Sequence, residues 1–147
     1  EHLAEALMAI PYMVCVDEFQ HKVYENPDMS PMEWRAVWSQ LEKTYMPWRD
    51  YEGNQFLSEG GFWMQKQHIF LYPFYYVDYA IAQIGAFEFY TWMKKDRKAA
   101  WEGYYELCKM GGSLGYFDLL NHCGLHNLLK EGSVKEALKA VFEELEV

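Results

Sequence analysis

The sequence predicts an all-α protein, a bundle of about six helices. Apolar residues recur at mostly helical intervals along several segments, and capping signals frame these segments. No run of alternating apolar and polar residues competes as a strand. The 147 residues, 51% of them hydrophobic and 18% aromatic, are enough for one compact domain with a sizeable core.

The first predicted helix runs from His2 to about Tyr24. Its apolar residues share a mostly helical spacing: Leu3, Leu7, Ile10, Val14 and Phe19. Pro11 is expected to kink or split this helix, because proline has no N–H to donate within it. The helix is expected to end at residues 26–28, which read Asn-Pro-Asp.

A second helix is predicted from Ser30 to about Tyr45. Ser30 as N-cap, Pro31 at the first helical position and Glu33 at the third form the pattern of a capping box. Residues 46–62 carry several glycines and a proline without a sustained period, so they are expected to form a long loop. A loop of that length in a compact domain is more often functional than not.

The second half of the chain predicts one central helix and three shorter ones. Pro73 is the expected first residue of the central helix, which runs from about Phe74 to Met93 with few charges on any face. Capping residues predict the bounds of the three shorter helices. The first is capped by Asp96 and ends at Met110 before Gly111, and the second is capped by Ser113 and ends at about Cys123 before Gly124. The third covers residues 134–146 and follows a capping box formed by Ser133 and Glu136.

The charge balance argues against a nucleic-acid partner. The chain has 22 acidic and 13 basic residues and a formal net charge of −9, whereas tracking a phosphate backbone requires clustered positive charge. The longest charge-free apolar stretch, residues 67–77, is too short to span a bilayer, so no membrane partner is expected.

The three cysteines predict neither a disulfide framework nor a thiolate zinc site. Cys15, Cys108 and Cys123 are odd in number and far apart, with no CxxC spacing, which favours a reducing compartment. The chain also begins within a predicted amphipathic helix and without an initiator Met, so we expect it to be a fragment.

Two histidine pairs have spacings that metal sites use. His122 and His126 are four residues apart, but Gly124 interrupts them and the Glu of an HExxH motif is missing, so an exposed or capping pair is favoured. Glu18 and His21 have the Glu-x-x-His spacing of di-iron bundles, but only one copy exists, so a polar helix face is favoured. Residues 111–113 could similarly bind an anion, but a C-cap followed by an N-cap is the favoured interpretation.

The densest chemical signal is the stretch from His68 to Tyr79. Tyr72, Tyr76 and Tyr79 are spaced at helical intervals, so their hydroxyls are expected to converge on one surface. Tyrosine and histidine can hold a peptide or stabilise an oxyanion by hydrogen bonding without adding net charge. The composition alone supports a buried aromatic stripe equally well.

These residues resemble a known family, the thimet-oligopeptidase-like zinc metallopeptidases, and within it the oligoendopeptidase F branch. The most specific match is residues 68–83, HIFLYPFYYVDYAIAQ, in which the His and the tyrosines recur together. The other matching stretches are residues 107–120 with their central Gly-Gly-Ser, residues 11–26, the capped helix at Ser30-Pro31, and residues 51–63. The resemblance covers nearly the whole chain, although residues 126–129 read HNLL where the branch usually has a Pro-Phe pair.

The resemblance implies a largely helical zincin catalytic domain with a deep channel. Zinc in that family is held by HExxH and by a further Glu downstream, and neither motif occurs in this sequence; HKVYE at residues 21–25 cannot substitute. Because those motifs precede the matched segments, residues 1–147 are expected to be the C-terminal portion of the domain, with zinc bound outside the chain.

The resemblance also implies roles for individual residues. His68 and Tyr72 resemble the His and Tyr of a flexible loop that faces the zinc, and Tyr79 resembles a second Tyr seven residues on. These three are implied to bind the substrate backbone and stabilise the oxyanion. Tyr76 is a further substrate-binding candidate, and Tyr75 ranks below it because at most one helix face can look into the channel.

Two classes of function follow as hypotheses. In the first, the parent protein is a cytoplasmic zinc endopeptidase that acts on short peptides, and this chain, inactive alone, pairs with the N-terminal part of the same enzyme. In the second, the chain is a stand-alone helical module that binds a ligand or peptide without catalysis. A metal-dependent bundle using the histidine pairs is a third hypothesis, and self-association through an exposed apolar face is expected of a fragment.

Overall fold

The computed structural model describes residues 1–146, which form eight α-helices and no strand. The helices are α1 (His2–Glu25), α2 (Pro31–Tyr45), α3 (Gln67–Leu71), α4 (Val77–Lys95), α5 (Arg97–Met110), α6 (Tyr116–Cys123), α7 (Ser133–Ala137) and α8 (Lys139–Leu145). The predicted all-α class is confirmed, and the two helices beyond the expected six come from short segments.

The chain divides into two compact units. The N-terminal unit comprises Ala4–Ala80 together with His2, and the C-terminal unit comprises the residues from Ile81 onward with Glu1 and Leu3. No helix in the described part of the chain combines the length and apolar character that crossing a membrane requires.

Helix α1 is continuous through Pro11, so of the two predicted outcomes, a kink or a split, the split does not occur. The residues that follow the proline explain why: Cys15, Val16 and Phe19 are at most 1% exposed, and their packing holds the helix together despite one missing N–H. The helix ends where predicted, since the side-chain amide of Asn26 donates to the Lys22 carbonyl at 2.9 Å.

The core of the N-terminal unit is aromatic. Trp38 of α2 is fully buried and meets Phe19 edge-on, with ring centroids 5.3 Å apart. Phe19 in turn packs on Trp63, with centroids 5.1 Å apart. These contacts fasten α1, α2 and the segment after α2 to one another.

The capping box that opens α2 is confirmed. The backbone N–H of Ser30 donates to the Glu33 carboxylate at 2.7 Å, and the Glu33 N–H donates back to the Ser30 hydroxyl at 3.4 Å. These bonds stabilise the ionised carboxylate and lower the pKa of Glu33.

The predicted loop over residues 46–62 contains more structure than expected. It includes a π-helical turn at Leu57–Gly61, followed by a 3₁₀ turn at Phe62–Gln65. Gly60 lies there at a φ of +87°, and a Cβ on it would stand 2.0 Å from the Arg35 carbonyl oxygen. Only glycine fits this close approach between the turn and α2.

The C-terminal unit confirms one predicted cap. The Asp96 carboxylate accepts from the N–H groups of Lys98 and Ala99 at 3.1 and 3.0 Å, and α5 runs to Met110 as expected. Gly111 is the predicted C-cap, and its N–H donates to the Leu107 carbonyl.

Two other predicted caps are wrong. Helix α6 begins at Tyr116 behind Gly115, while Ser113 lies in the preceding turn, where its N–H donates to the Met110 carbonyl. The interpretation of residues 111–113 as an anion site at a helix N-terminus is therefore not supported. Ser133 is the first residue of α7, and its N-cap is Gly132.

The last predicted helix is broken at Leu138. The Thr91 hydroxyl donates to the Ala137 carbonyl at 2.7 Å and accepts from the Ala140 N–H at 3.4 Å. A buried threonine on α4 thus supplies local partners at the junction between α7 and α8, which no local signal in residues 134–146 could indicate.

Candidate functional site

A turn at residues 72–76 separates α3 from α4, so the predicted helix start at Phe74 is wrong. Phe74 has a φ of +63°, outside the helical region. Its N–H donates to Oε1 of Gln20 at 3.1 Å, and its ring lies 4.8 and 5.0 Å from those of His21 and Tyr24. Three side chains of α1 therefore contact Phe74 and stabilise the turn.

The turn and the two helix ends beside it gather five rings, which we call the aromatic cluster: His68, Tyr72, Tyr75, Tyr76 and Tyr79. The His68 ring centroid lies 4.8 Å from that of Tyr76, 5.9 Å from that of Tyr79 and 6.3 Å from that of Tyr72. The predicted convergence of these side chains is found, although a turn rather than one helical face produces it.

The aromatic cluster is not a buried stripe. Tyr72, Tyr75 and Tyr79 are 59%, 47% and 43% exposed, whereas His68 and Tyr76 are half-buried. Solvent-facing rings that carry hydroxyl and imidazole groups can donate hydrogen bonds to a ligand at this surface.

Tyr75, ranked lowest from the sequence, belongs to the aromatic cluster. Its ring lies 5.4 Å from that of Tyr79 and 6.5 Å from that of Tyr72. A hydrogen bond between the Tyr75 and Tyr79 side chains is the main cause that raises the pKa of Tyr79. The bond therefore favours the protonated form of the Tyr79 phenol.

Lys66 supplies a cation beside the aromatic cluster that the sequence analysis missed. Its Nζ donates to the Tyr76 hydroxyl at 3.1 Å and lies 4.4 Å from the Tyr76 ring centroid. The same Nζ is 5.1 Å from the ring centroid of Tyr12, a partly buried tyrosine of α1 whose pKa is raised by burial and by Tyr76. A lone lysine between glutamines carries no local signal of this contact.

The Glu18 and His21 side chains take separate partners. Glu18 accepts a short hydrogen bond from the Tyr45 hydroxyl, which lowers the pKa of Glu18, and it pairs with Lys22 at 3.1 Å. His21 lies 3.5 Å from Asp17. The two residues therefore form no joint metal site.

The pair of His122 and His126 is likewise divided. His126 contacts the nearly buried Glu88 carboxylate, with Nδ1 at 2.5 Å and the backbone N–H at 2.9 Å, while His122 lies exposed in the last turn of α6. Over residues 1–146, no three His, Cys, Asp or Glu side chains are grouped so that they could hold a metal ion.

Comparison with known proteins gives a match among solved structures. No family model matches the chain, and no curated protein matches it. One structure, described as an oligoendopeptidase F, is 44% identical with a TM-score of 0.92 over 99% of this chain and 26% of its own. PZ peptidase A with an inhibitor is 42% identical with the same TM-score and coverage.

A third match is a structure from Bacillus anthracis str. Ames, also described as an oligoendopeptidase F. It is 37% identical, with a TM-score of 0.75 over 99% of this chain and 22% of its own. The chain thus spans about a quarter of the length of the structures it matches. With this identity along almost its whole length, the chain belongs to the oligoendopeptidase F-like family of peptidases, as a helical part of a larger protein.

Proposed function

We propose that residues 1–147 are the C-terminal portion of the catalytic domain of a zinc-dependent, cytoplasmic oligopeptidase that hydrolyses short peptides. In this proposal the chain supplies the wall that binds substrate and stabilises the oxyanion. The observation that carries it is the aromatic cluster, in which His68 is surrounded by the rings of Tyr72, Tyr76 and Tyr79 at an accessible surface.

The chemistry of the aromatic cluster suits an oxyanion. A peptide carbonyl gains negative charge on oxygen as its carbon becomes tetrahedral, and donors already in place at that oxygen stabilise the charge without reorganising. In the proposal Tyr79, Tyr72 and His68 donate to this oxygen or to the substrate backbone. Tyr76 binds substrate, with its hydroxyl already engaged by Lys66.

In this proposal the zinc ion is bound by residues of the parent protein that lie outside this chain. The family resemblance implies it, but the ligands are assigned outside this chain because residues 1–146 gather no metal-binding group. When bound there, zinc would activate the attacking water and polarise the scissile carbonyl. The chain by itself is therefore proposed to be inactive.

Single tyrosine substitutions in the parent enzyme test the proposal. Removal of one oxyanion donor costs about 10²- to 10³-fold in kcat, so Tyr79→Phe and Tyr72→Phe should each lose activity on this scale with an unchanged unfolding temperature. Tyr105→Phe, at an exposed tyrosine of α5, is the matched control and should keep full activity. A loss below threefold in both variants would overturn the assignment and favour a binding module without catalysis.

A further inference from the structure

Lys66 differs from the other partly buried basic residues of the described chain. Four lysine or arginine residues among residues 1–146 are partly buried. Three of them pair with a carboxylate at 2.8–3.2 Å: Lys22 with Glu18, Arg35 with Glu59, and Arg49 with Glu42. Lys66, the fourth, has no carboxylate partner in this part of the chain. Its positive charge is therefore without a counter-ion, although the whole chain has a net charge of −9.

Two tyrosine rings hold the ammonium group of Lys66. Its Nζ lies 4.4 Å from the ring centroid of Tyr76 and 5.1 Å from that of Tyr12, distances at which a cation is attracted to a ring face. Phenols are uncharged near neutral pH, so neither ring neutralises the lysine. The ammonium has three protons, of which one is donated to the Tyr76 hydroxyl, and two remain for an anionic acceptor.

The unpaired ammonium lies at the edge of the aromatic cluster, because Tyr76 contacts both. The Tyr76 ring centroid is 4.8 Å from that of His68 and 5.6 Å from that of Tyr79. A ligand held by these rings can therefore place an anionic group on Nζ of Lys66. The anionic group that an unmodified peptide carries is a carboxylate, at its C-terminus or on an Asp or Glu side chain.

We propose that Lys66 binds a carboxylate of the peptide substrate and makes the enzyme prefer peptides that present this group at the aromatic cluster. The inference rests on the proposed function and names the substrate class of the same site. A charge-assisted hydrogen bond from the ammonium to the carboxylate supplies the counter-ion that the described chain does not. The C-terminus of a short peptide and an acidic side chain offer the same chemistry here.

Two pairs of peptides, hydrolysed by the parent enzyme, distinguish these sources. The first pair has no acidic side chain and differs only at the C-terminus, which is a free acid in one peptide and an amide in the other. The second pair is amidated and has Glu or Gln at one position, which is moved along the peptide. The carboxylate member of at least one pair should have about tenfold higher kcat/KM, the scale of one charge-assisted hydrogen bond. The pair that shows this preference identifies the source.

Substitutions of Lys66 test whether this residue causes the preference. Lys66→Met keeps the length of the side chain without its charge and should abolish the preference, whereas Lys66→Arg should retain it because a guanidinium also binds carboxylates. Lys43→Met is the matched control at an exposed lysine of α2 and should retain the preference. Thermal unfolding confirms that each variant is folded, and Lys66→Gln replaces Lys66→Met if that variant does not fold.

The outcomes separate this inference from the proposed function. An active parent enzyme that shows no preference in either pair, or one whose preference survives in Lys66→Met, overturns the assignment of Lys66 and leaves the proposed function standing. A preference that is lost in Lys43→Met as well contradicts a specific contact with Lys66. A parent protein that hydrolyses no short peptide overturns both the proposed function and this inference.

Discussion

The backbone N–H of Phe74 donates to Oε1 of Gln20 at 3.1 Å, across 54 residues of sequence. This bond joins a buried position of α1 to the turn that carries the aromatic cluster. It satisfies the N–H of a residue whose positive φ keeps it out of any helix ladder.

Loss of this bond should be visible in hydrogen exchange. In Gln20→Leu the Phe74 amide loses its acceptor, so its exchange rate is expected to rise about tenfold or more. Gln40→Leu should leave the rate unchanged, because that side chain is exposed on α2. Equal protection of the Phe74 amide in both variants would contradict the anchoring role of Gln20.

Tyr75→Phe should lower the pKa of Tyr79. The hydrogen bond with Tyr75 favours the protonated phenol of Tyr79 and raises its pKa, so its removal should return the pKa towards the ordinary tyrosine value. Ring-carbon NMR shifts followed from pH 8 to 12 measure the change. Tyr105→Phe is the control, and an unchanged Tyr79 titration in Tyr75→Phe would exclude the bond.

The difference in the free energy of unfolding between wild type and Tyr45→Phe should shrink at alkaline pH. The bond to Glu18 raises the pKa of Tyr45 from 10.0 to about 12, so its stabilising contribution is fully present below pH 10 and is lost as pH rises towards 12. The same bond lowers the pKa of Glu18, so its contribution on that side is lost as pH falls through the folded-state pKa of Glu18.

Urea unfolding at pH 7, 10 and 12 measures this dependence. The stability difference between wild type and Tyr45→Phe should be largest at pH 7 and shrink towards pH 12. A difference that stays constant with pH would show that Tyr45 contributes only packing.

Gly60→Ala should destabilise the N-terminal unit by about 2 kcal/mol or more, from the strained φ and the clash with the Arg35 carbonyl. Gly85→Ala is the matched control, because a Cβ there meets nothing within 4 Å and the position lies inside α4. The control should gain about 0.5–1 kcal/mol from higher helix propensity. Equal effects of the two substitutions in chemical denaturation would be incompatible with the close approach.

His68→Ala in the parent enzyme should reduce turnover without reducing bound zinc. The proposal places His68 as a donor to substrate and assigns the zinc ligands to residues outside this chain. Zinc content by atomic absorption and kcat on a short peptide separate the two roles. Loss of zinc in proportion to activity would make His68 a ligand and refute the assignment.

The elements that the sequence predicted correctly are those whose signals are local. The Ser30 capping box and the Asp96 cap place the starts of α2 and α5, because each cap bonds to N–H groups two or three residues away. Two of the starts and breaks that were missed depend on distant partners: Gln20 for the turn before α4, and Thr91 for the junction of α7 and α8. No pattern within those segments contains this information.

The residues at the aromatic cluster likewise fall into those that local sequence signals predict and those that depend on distant contacts. His68 and the tyrosines were found because five such groups lie within twelve residues and because the stretch resembles a family motif. Lys66 and Gln20 were missed, since a single lysine and a glutamine within a helix have no distinctive spacing. The bond of Gln20 to Phe74 and the contact of Lys66 with Tyr12 exist only once α1 packs beside these residues.

The anchoring of the Phe74 turn by α1 has an evolutionary consequence. The five rings are encoded by one short contiguous stretch, yet the turn that carries them is bonded to a glutamine about fifty positions earlier. A gene fusion or segment exchange that divides the chain between these two positions would carry over every ring and still lose their geometry. The smallest portion of this sequence that can be transplanted with the aromatic cluster intact therefore starts at or before Gln20.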